Sequence, residues 1–516
     1  MKKLSKEKKI EFGDFQTPNA LATQIVTHLR KLGINPVTVL EPTCGTGSFI
    51  LAAKKFYPNV RIIGLDINPH YLTILTDTLK NTTSLNQVEI QYANFFDVDW
   101  SNKIQQLDEP ILILGNPPWV TSANISILGG TNIPTKHNIH GYQGLDTKTG
   151  KSNFDISEWM IIELLRSLNG HNGTLAMLCK ESVARKVIMY NTREKLNVVS
   201  STIYRIDSKK YFDATVNACL FICRLTPRSQ NYTCQIYQNL NTDRIIQEIG
   251  YIDERMVANI SSYQKWKHLQ ANTSLKDSKY IWRSGIKHDC VKVMELRRIG
   301  NDLVNGFDEL VLIENNYLFP MLKSSELANT TGIKIQRWMI VPQNSIGEDT
   351  SLIQNNAPLT WAYLEKCSKH LDSRASSIYK NRPKYSIFGV GPYTFTPWKI
   401  AISGFYKTLK FKLIGPFENK PVVFDDTCYF IGLNSYEEAI ILNVILNHPI
   451  AFDFYNSVIF WDSKRPITKQ NLQQLDFVKF IQEIDHNELL ELVLQTDPNI
   501  NSDVISSELQ KMHSRV

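Results

Sequence analysis

The chain has 516 residues, too long for a single hydrophobic core and enough for two domains, and its 43% hydrophobic and 21% charged residues exclude a disordered or fibrous polypeptide. With 57 Lys and Arg against 50 Asp and Glu, the net charge of +7 leans towards a polyanionic partner without saying which half holds it. No apolar run approaches the roughly 20 residues of a membrane span, and the Lys-rich start is followed by no signal-peptide core, so a soluble, cytoplasmic protein is expected.

In chain order, Gln16-Thr17-Pro18 precedes an apolar-periodic helix (Leu21, Ile25, Val26, Leu29), with Thr17 placed to cap it and Pro18 in its first position. A short strand, Val37 to Glu41, runs into Pro42-Thr43-Cys44-Gly45-Thr46-Gly47, which opens a second helix. Glycines at such a turn let backbone approach a ligand, and the helix start offers free N–H groups. A second strand, Arg61 to Leu65, ends at Asp66, where a carboxylate either binds ribose hydroxyls or caps the next helix. A third strand (Val88 to Tyr92) leads to Asn94-Phe95-Phe96-Asp97, and a fourth (Ile111 to Gly115) to Asn116-Pro117-Pro118-Trp119.

That last tetrapeptide carries specific chemistry. An amine on an aromatic ring is a poor nucleophile because its lone pair is delocalised. The Asn116 side-chain oxygen and the Pro117 carbonyl are both acceptors, and together they favour the pyramidal amine whose lone pair attacks. Trp119 offers a flat face. Alone, Asn-Pro-Pro-Trp reads as a turn after a strand; its place in this series gives it the chemical reading.

Residues 120–153 show no periodicity and read as a flap over substrate or as plain disorder. A helix (Ile156 to Leu168), a fifth strand (Gly173 to Cys179) and two further strands (199–206 and 216–225) complete a doubly wound α/β sheet. The absence of a helix between the last two implies a terminal antiparallel pair. Residues 229–250 are polar and read as a linker between a catalytic domain (1–228) and a C-terminal domain (251–516) of mixed α+β character. Eight scattered cysteines form no CxxC pair and read as buried thiols, with no metal site expected. His288 is a lone histidine and reads as structural. Within the C-terminal half, Ser373 to Phe417 holds eight basic residues and no acid, interleaved with aromatics such as Tyr379, Tyr393, Phe405 and Tyr406. Such a stretch suits a nucleic-acid face, with Lys384, Lys399, Lys407 and Lys410 as candidate contacts.

The series Gln16-Thr17-Pro18, Glu41 with Gly45 and Gly47, Asp66, Asn94-Phe95, Asn116-Pro117-Pro118-Trp119, Phe154 and Phe212 resembles, in order and spacing, the adenine-specific DNA methyltransferases of restriction–modification systems. It is similar to their gamma class, with an N-terminal cofactor domain and a C-terminal target-recognition domain. The resemblance implies S-adenosyl-L-methionine as cofactor. Thr17, Glu41, Gly45 and Gly47 would hold its methionine part, Asp66 its ribose, and Asn94 and Phe95 its adenine. It also implies that Asn116 and Pro117 grip the amino group of an adenine flipped out of double-stranded DNA, between Trp119 and Phe212. The family usually carries Asp where this chain has Asn94. A protein-glutamine or ribosomal-RNA amino methyltransferase and an inactive specificity subunit stay open as alternatives. Any cognate restriction endonuclease is expected on a separate chain, and the protein is expected to be a monomer associated with the nucleoid.

Overall fold

The computed structural model describes residues 16–80, 87–120, 155–271, 279–329, 332–463 and 465–513. The expected flap (120–153), apart from Val120, lies outside these residues, as do Phe154 and Lys464. The chain divides into two units, Met1–Ile260 and Ser261–Val516.

In the first unit, strands β1 (Thr38–Glu41), β2 (Arg61–Asp66), β3 (Val88–Tyr92), β4 (Ile111–Gly115), β5 (Gly173–Lys180), β6 (Val198–Ile206), β7 (Ala218–Leu225), β8 (Thr233–Tyr237), β9 (Ile245–Ile252) and β10 (Arg255–Val257) form one sheet. Its order is β10-β9-β8-β6-β7-β5-β4-β1-β2-β3. Helix α1 (Asn19–Lys31) precedes β1, and α2 (Ser48–Phe56), α3 (Pro69–Lys80), α4 (Trp100–Gln105), α5 (Ile156–Leu168), α6 (Glu181–Arg193) and α7 (Ser208–Phe212) lie between successive strands. β1 is parallel to both β2 and β4, and the chain steps outward in opposite directions on its two sides. That reversal is the switch point at which open α/β sheets form a crevice beyond the strand ends.

Continuous apolar runs make this possible, because a strand covered on both faces needs no polar alternation. Val39, Ile62, Leu112 and Leu114 pack with Leu21 and Ile25 of α1 and Phe49 and Ile50 of α2. The alternating residues Leu40, Ile63, Ile111 and Ile113 are buried as well.

β7 lies antiparallel between β5 and β6, which is the expected antiparallel pair, with the five-residue α7 inside its connection. The pair is not the end of the sheet. β8 joins β6 in parallel and β9 and β10 continue outward, so residues 229–250 are not the linker the polar composition suggested. Cys234 and Ile236 are buried while their neighbours in β8 are half exposed, a period of two hidden in the sequence by flanking Asn and Gln.

The second unit is mixed α+β, as expected. Strands β11 (Arg283–Ser284), β12 (Glu295–Ile299), β13 (Asp302–Val304), β14 (Leu318–Leu322), β15 (Arg337–Ile340), β16 (Trp398–Ser403), β17 (Lys412–Ile414), β18 (Val423–Phe424) and β19 (Cys428–Leu433) form two sheets, ordered β13-β12-β15-β14-β18 and β11-β19-β16-β17. Helices follow the last strand, beginning with Tyr436–Asn447 and ending with Ser502–His513. His288 is buried, with Nε2 3.2 Å from Glu295 Oε1 and Nδ1 accepting from the Cys290 N–H. It is a strut of this unit.

Candidate active site

The carboxyl ends of β1, β2 and β4 gather the first candidates. Gly45 and Gly47 take φ of +52° and +87°, conformations that cost glycine little. A Cβ at Gly45 would stand 2.5 Å from Gln16 Oε1, and one at Gly47 would stand 2.1 Å from Leu75 Cδ1, so a side chain at either position would have to displace its neighbour. The Asp66 carboxylate ties the turn together: Oδ2 accepts from the Gly45 N–H at 2.7 Å and Oδ1 from the Asn68 N–H at 2.8 Å. Gln16 reaches the same turn, with Oε1 accepting from Thr46 N and Oγ1 at 3.2 and 3.1 Å. Thr17 is buried, and its carbonyl accepts from Ser48 Oγ at 2.7 Å. It does not cap α1, because the helix begins one residue later and Pro18 stands at the boundary.

Glu41 is buried at 2% exposure, and its Oε2 has no hydrogen-bond partner among the described residues. Burial, and then the nearby Asp66 carboxylate, push its carboxyl well above the usual range, opposed by a hydrogen bond from the Ile50 backbone. The same burial and the same two acids push the Cys44 thiol up, so it stays protonated and packs as an apolar side chain.

At the end of β3, Asn94 Oδ1 accepts from Phe96 N at 3.4 Å while its amide donates to Asp97 Oδ2 at 2.9 Å. Phe95 is buried against Trp100, with centroids 4.6 Å apart, and the Trp100 indole N–H donates to the Phe95 carbonyl at 3.0 Å. The peptide at 94–96 is therefore fixed at this edge, while the Phe95 ring belongs to the core.

Asn116 is half-buried and Pro117 buried at the end of β4. Trp119 and Phe212 are brought together, edge to face with centroids 5.0 Å apart, and both are more than nine-tenths buried. In this arrangement the rings touch each other and leave no slot between them. The Trp119 indole N–H donates to the Leu178 carbonyl at 3.3 Å. Two residues that the sequence reading passed over complete the corner. Lys180 Nζ donates to the Trp119 carbonyl at 3.1 Å and to Asp155 Oδ2 at 2.5 Å. Their signal was a lysine closing an otherwise apolar strand at the edge where Glu41, Asp66 and Asn116 also lie.

In the second unit, Lys384, Lys407 and Lys410 are exposed. Lys399 is not a phosphate ligand. It lies on β16 with 1% exposure, donates to the Thr396 carbonyl at 2.5 Å, and is brought down to about 7 by burial. Its place in an acid-free run reflects the inward face of a strand, which charge counting does not see. Arg374 is likewise structural, donating to the carbonyls of Leu371 and Ser386 at 2.7 Å. The connection from β16 to β17 differs: Phe405 and Tyr406 are 37% and 45% exposed beside Lys407 and Lys410, and Arg465 lies 4.4 Å from the Phe405 ring centroid. Its stem is held by Ser403 Oγ, accepting from Phe405 N and Tyr406 N, and by Asn447, bonded to both backbone groups of Phe411.

Comparison with known proteins places this arrangement. A family model described as N-6 DNA Methylase matches residues 1–213. The Type II methyltransferase M.NspV of Nostoc sp. is 47% identical over 472 residues, covering 91% of this chain and 96% of that protein. The Type II methyltransferase M.VspI of Vibrio sp. is 24% identical over 243 residues, covering 46% of this chain and 55% of that protein. Among solved structures, the Type IIL restriction–modification enzyme MmeI in complex with DNA shares the fold at a TM-score of 0.56 and 13% identity, over 99% of this chain and 76% of that one.

Proposed function

The chain belongs to the Type II methyltransferases, and from that premise we propose that it transfers a methyl group from S-adenosyl-L-methionine to the exocyclic amino group of an adenine flipped out of double-stranded DNA. The observation that carries this reading is the meeting of two motifs at the switch point. Glu41 Cγ lies 3.7 Å from where a Cβ of Gly115 would stand, immediately before Asn116. A buried acceptor without a hydrogen-bond partner among the described residues thus adjoins the residues that suit an aromatic amine.

The residues present fit the cofactor. The Glu41 carboxylate suits the ammonium of its methionine part, the Gly45–Gly47 turn lets backbone approach it, Thr17 walls the same end, and Asp66 suits the ribose. The peptide at Asn94 and Phe95 borders the adenine. When bound, the cofactor supplies a methyl group on a sulfonium sulfur, which leaves as a neutral thioether. Asn116 Oδ1 and the Pro117 carbonyl accept the two N–H groups of the target amine and hold its lone pair towards that methyl. Transfer would exchange that C–S bond for a C–N bond, and the extra proton on nitrogen would pass to water. Trp119 and Phe212 separate to admit the base. No cysteine nucleophile takes part.

The unit Ser261–Val516 is read as the target-recognition domain, with Lys384 and the Phe405–Lys410 hairpin facing DNA. The enzyme acts as a monomer on cytoplasmic DNA, and its restriction endonuclease is a separate chain. Single-molecule sequencing of DNA from cells expressing the protein tests the whole reading. N6-methyladenine should appear within one sequence context for wild type and vanish for Asn116→Ala. Unmodified DNA from the wild type, or a mark that survives the substitution, refutes it.

A further inference from the structure

We propose that Lys180, paired with Asp155, is a positioning residue for methyl transfer: it sets the direction of the Asn116 and Pro117 acceptors by gripping the far end of their segment. The inference rests on the reading of Asn116–Trp119 as the amine-binding residues.

Pro117 and Pro118 each lock φ near −65°, so the segment from Gly115 to Trp119 behaves as a stiff arm with freedom chiefly at its two ends. One end is Gly115, held in β4 by pairing with Met177 of β5. The other end is Trp119, and β5 holds that too. The Leu178 carbonyl accepts the indole N–H at 3.3 Å, and Lys180 Nζ donates to the Trp119 carbonyl at 3.1 Å. Lys180 is held in turn by Asp155 Oδ2 at 2.5 Å. Asp155 is buried and uses its other oxygen to cap α5, accepting from Ser157 N at 3.1 Å and Ser157 Oγ at 2.6 Å. The Ile156 N–H donates to the Val120 carbonyl at 2.8 Å, which fastens the next residue to the same helix start.

The arm is therefore clamped between the carboxyl end of β5 and the amino end of α5, and one ammonium links both. Without it, the Trp119 carbonyl loses the Lys180 donor and Asp155 the Lys180 charge. Rotation at that end swings the Pro117 carbonyl, and a displacement of about 1 Å in a positioned group costs as much as 100-fold in rate.

The test uses the full chain, tritiated S-adenosylmethionine and plasmid DNA prepared from cells lacking the enzyme. Lys180→Met should lower the single-turnover methylation rate by about 10- to 100-fold. Its affinities for S-adenosylmethionine and for DNA should stay within about twofold. Lys180→Arg, whose guanidinium can donate to both partners, should recover most of the rate. Asp155→Asn keeps an acceptor for the helix cap but removes the charge, and it should slow the same step; combined with Lys180→Met it should add little further loss. A Lys180→Met rate within threefold of wild type overturns the proposal. So does a loss shared equally by rate, both affinities and melting temperature, because that is the mark of a merely structural lysine. Should Lys180→Met not fold, Asp155→Asn decides alone, and an unchanged rate overturns the proposal. Absence of methylation by the wild type would instead indict the reading of the site.

Discussion

Replacing Glu41 by Gln separates what the buried carboxyl does for binding from what it does to stability. The substitution keeps shape and volume, so the packing around β1 is unchanged. A hydrogen bond between a charged pair contributes about 1.5–3 kcal/mol, so the variant should bind S-adenosylmethionine about 10- to 150-fold more weakly. Its stability without ligand should move the other way. The Glu41 carboxyl is raised in the folded protein by burial and then by Asp66, whereas in the unfolded chain it titrates near about 4.3. Its contribution to stability is thus fully present below that pH and is lost as pH rises through the folded value. Glu41→Gln, which does not titrate, should gain on wild type from about pH 4.3 upwards. Binding an ammonium pulls the carboxyl back down, so cofactor binding by wild type should release a proton and tighten as pH rises. Titration calorimetry in buffers of different ionisation enthalpy reads the binding, and thermal melts at pH 5 and pH 8 read the stability. Wild-type affinity in the variant, or a variant that loses ground as pH rises, would refute the reasoning.

Asn116→Ala should cost about 2.7–4 kcal/mol of barrier, or 10²- to 10³-fold in turnover, with cofactor affinity unchanged by calorimetry; turnover within tenfold would remove its assigned role. Trp119→Ala and Phe212→Ala should each weaken capture of the extruded base by about 1–3 kcal/mol, read as dimmer emission from a fluorescent adenine analogue at the target, and equal emission in all three proteins would assign the clamp elsewhere. Lys407→Gln and Lys410→Gln should each lower the slope of DNA affinity against salt by about 1, whereas Lys399→Met should leave affinity and slope alone. Because burial depresses Lys399 to about 7, wild type should lose stability relative to Lys399→Met as pH falls from about 10.4 towards that value, and a constant gap in thermal melts would contradict this. A truncation after Ile260 should retain cofactor binding, while one after Arg228 should aggregate, since it strips β8 from β6 and exposes Ile203 and Tyr204; equal solubility of the two would count against β8–β10 as part of the sheet.

Much of the candidate edge was legible because each of its signals is local. Glu41, Asp66 and Asn116 each close a short apolar strand, and the spacing of strands and helices dictates that they share an edge. What escaped was set by tertiary neighbours. Lys399 and Lys407 are both lysines in one acid-free run, yet one points into β16 and the other lies on its exposed connection. The linker reading failed for a related reason: in β8 only alternate residues, Cys234 and Ile236, are buried, and Thr233, Gln235 and Tyr237 between them are half exposed. Lys180 and Asp155 are 25 residues apart, and nothing in the composition between them announces that they meet.

The charges at the edge are segregated in a way that suits the reaction proposed. Glu41 and Asp66 stand together at β1 and β2, and after burial the Asp66 carboxylate further disfavours ionisation of Glu41. The groups that the proposal offers to the amine are neutral: the Asn116 amide oxygen, the Pro117 tertiary-amide carbonyl and the rings of Trp119 and Phe212. Lys180, a cation beside them among the described residues, is matched by Asp155. A carboxylate in place of Asn116 would stand next to Glu41 and add a third mutually repelling acid, and once protonated it would donate where an acceptor is required. A neutral amide keeps the acceptor at every pH. Cation recognition and amine activation can therefore lie within a few ångströms of each other without each perturbing the other's protonation, which is the condition for moving a methyl from a sulfonium to a neutral amine at one sheet edge.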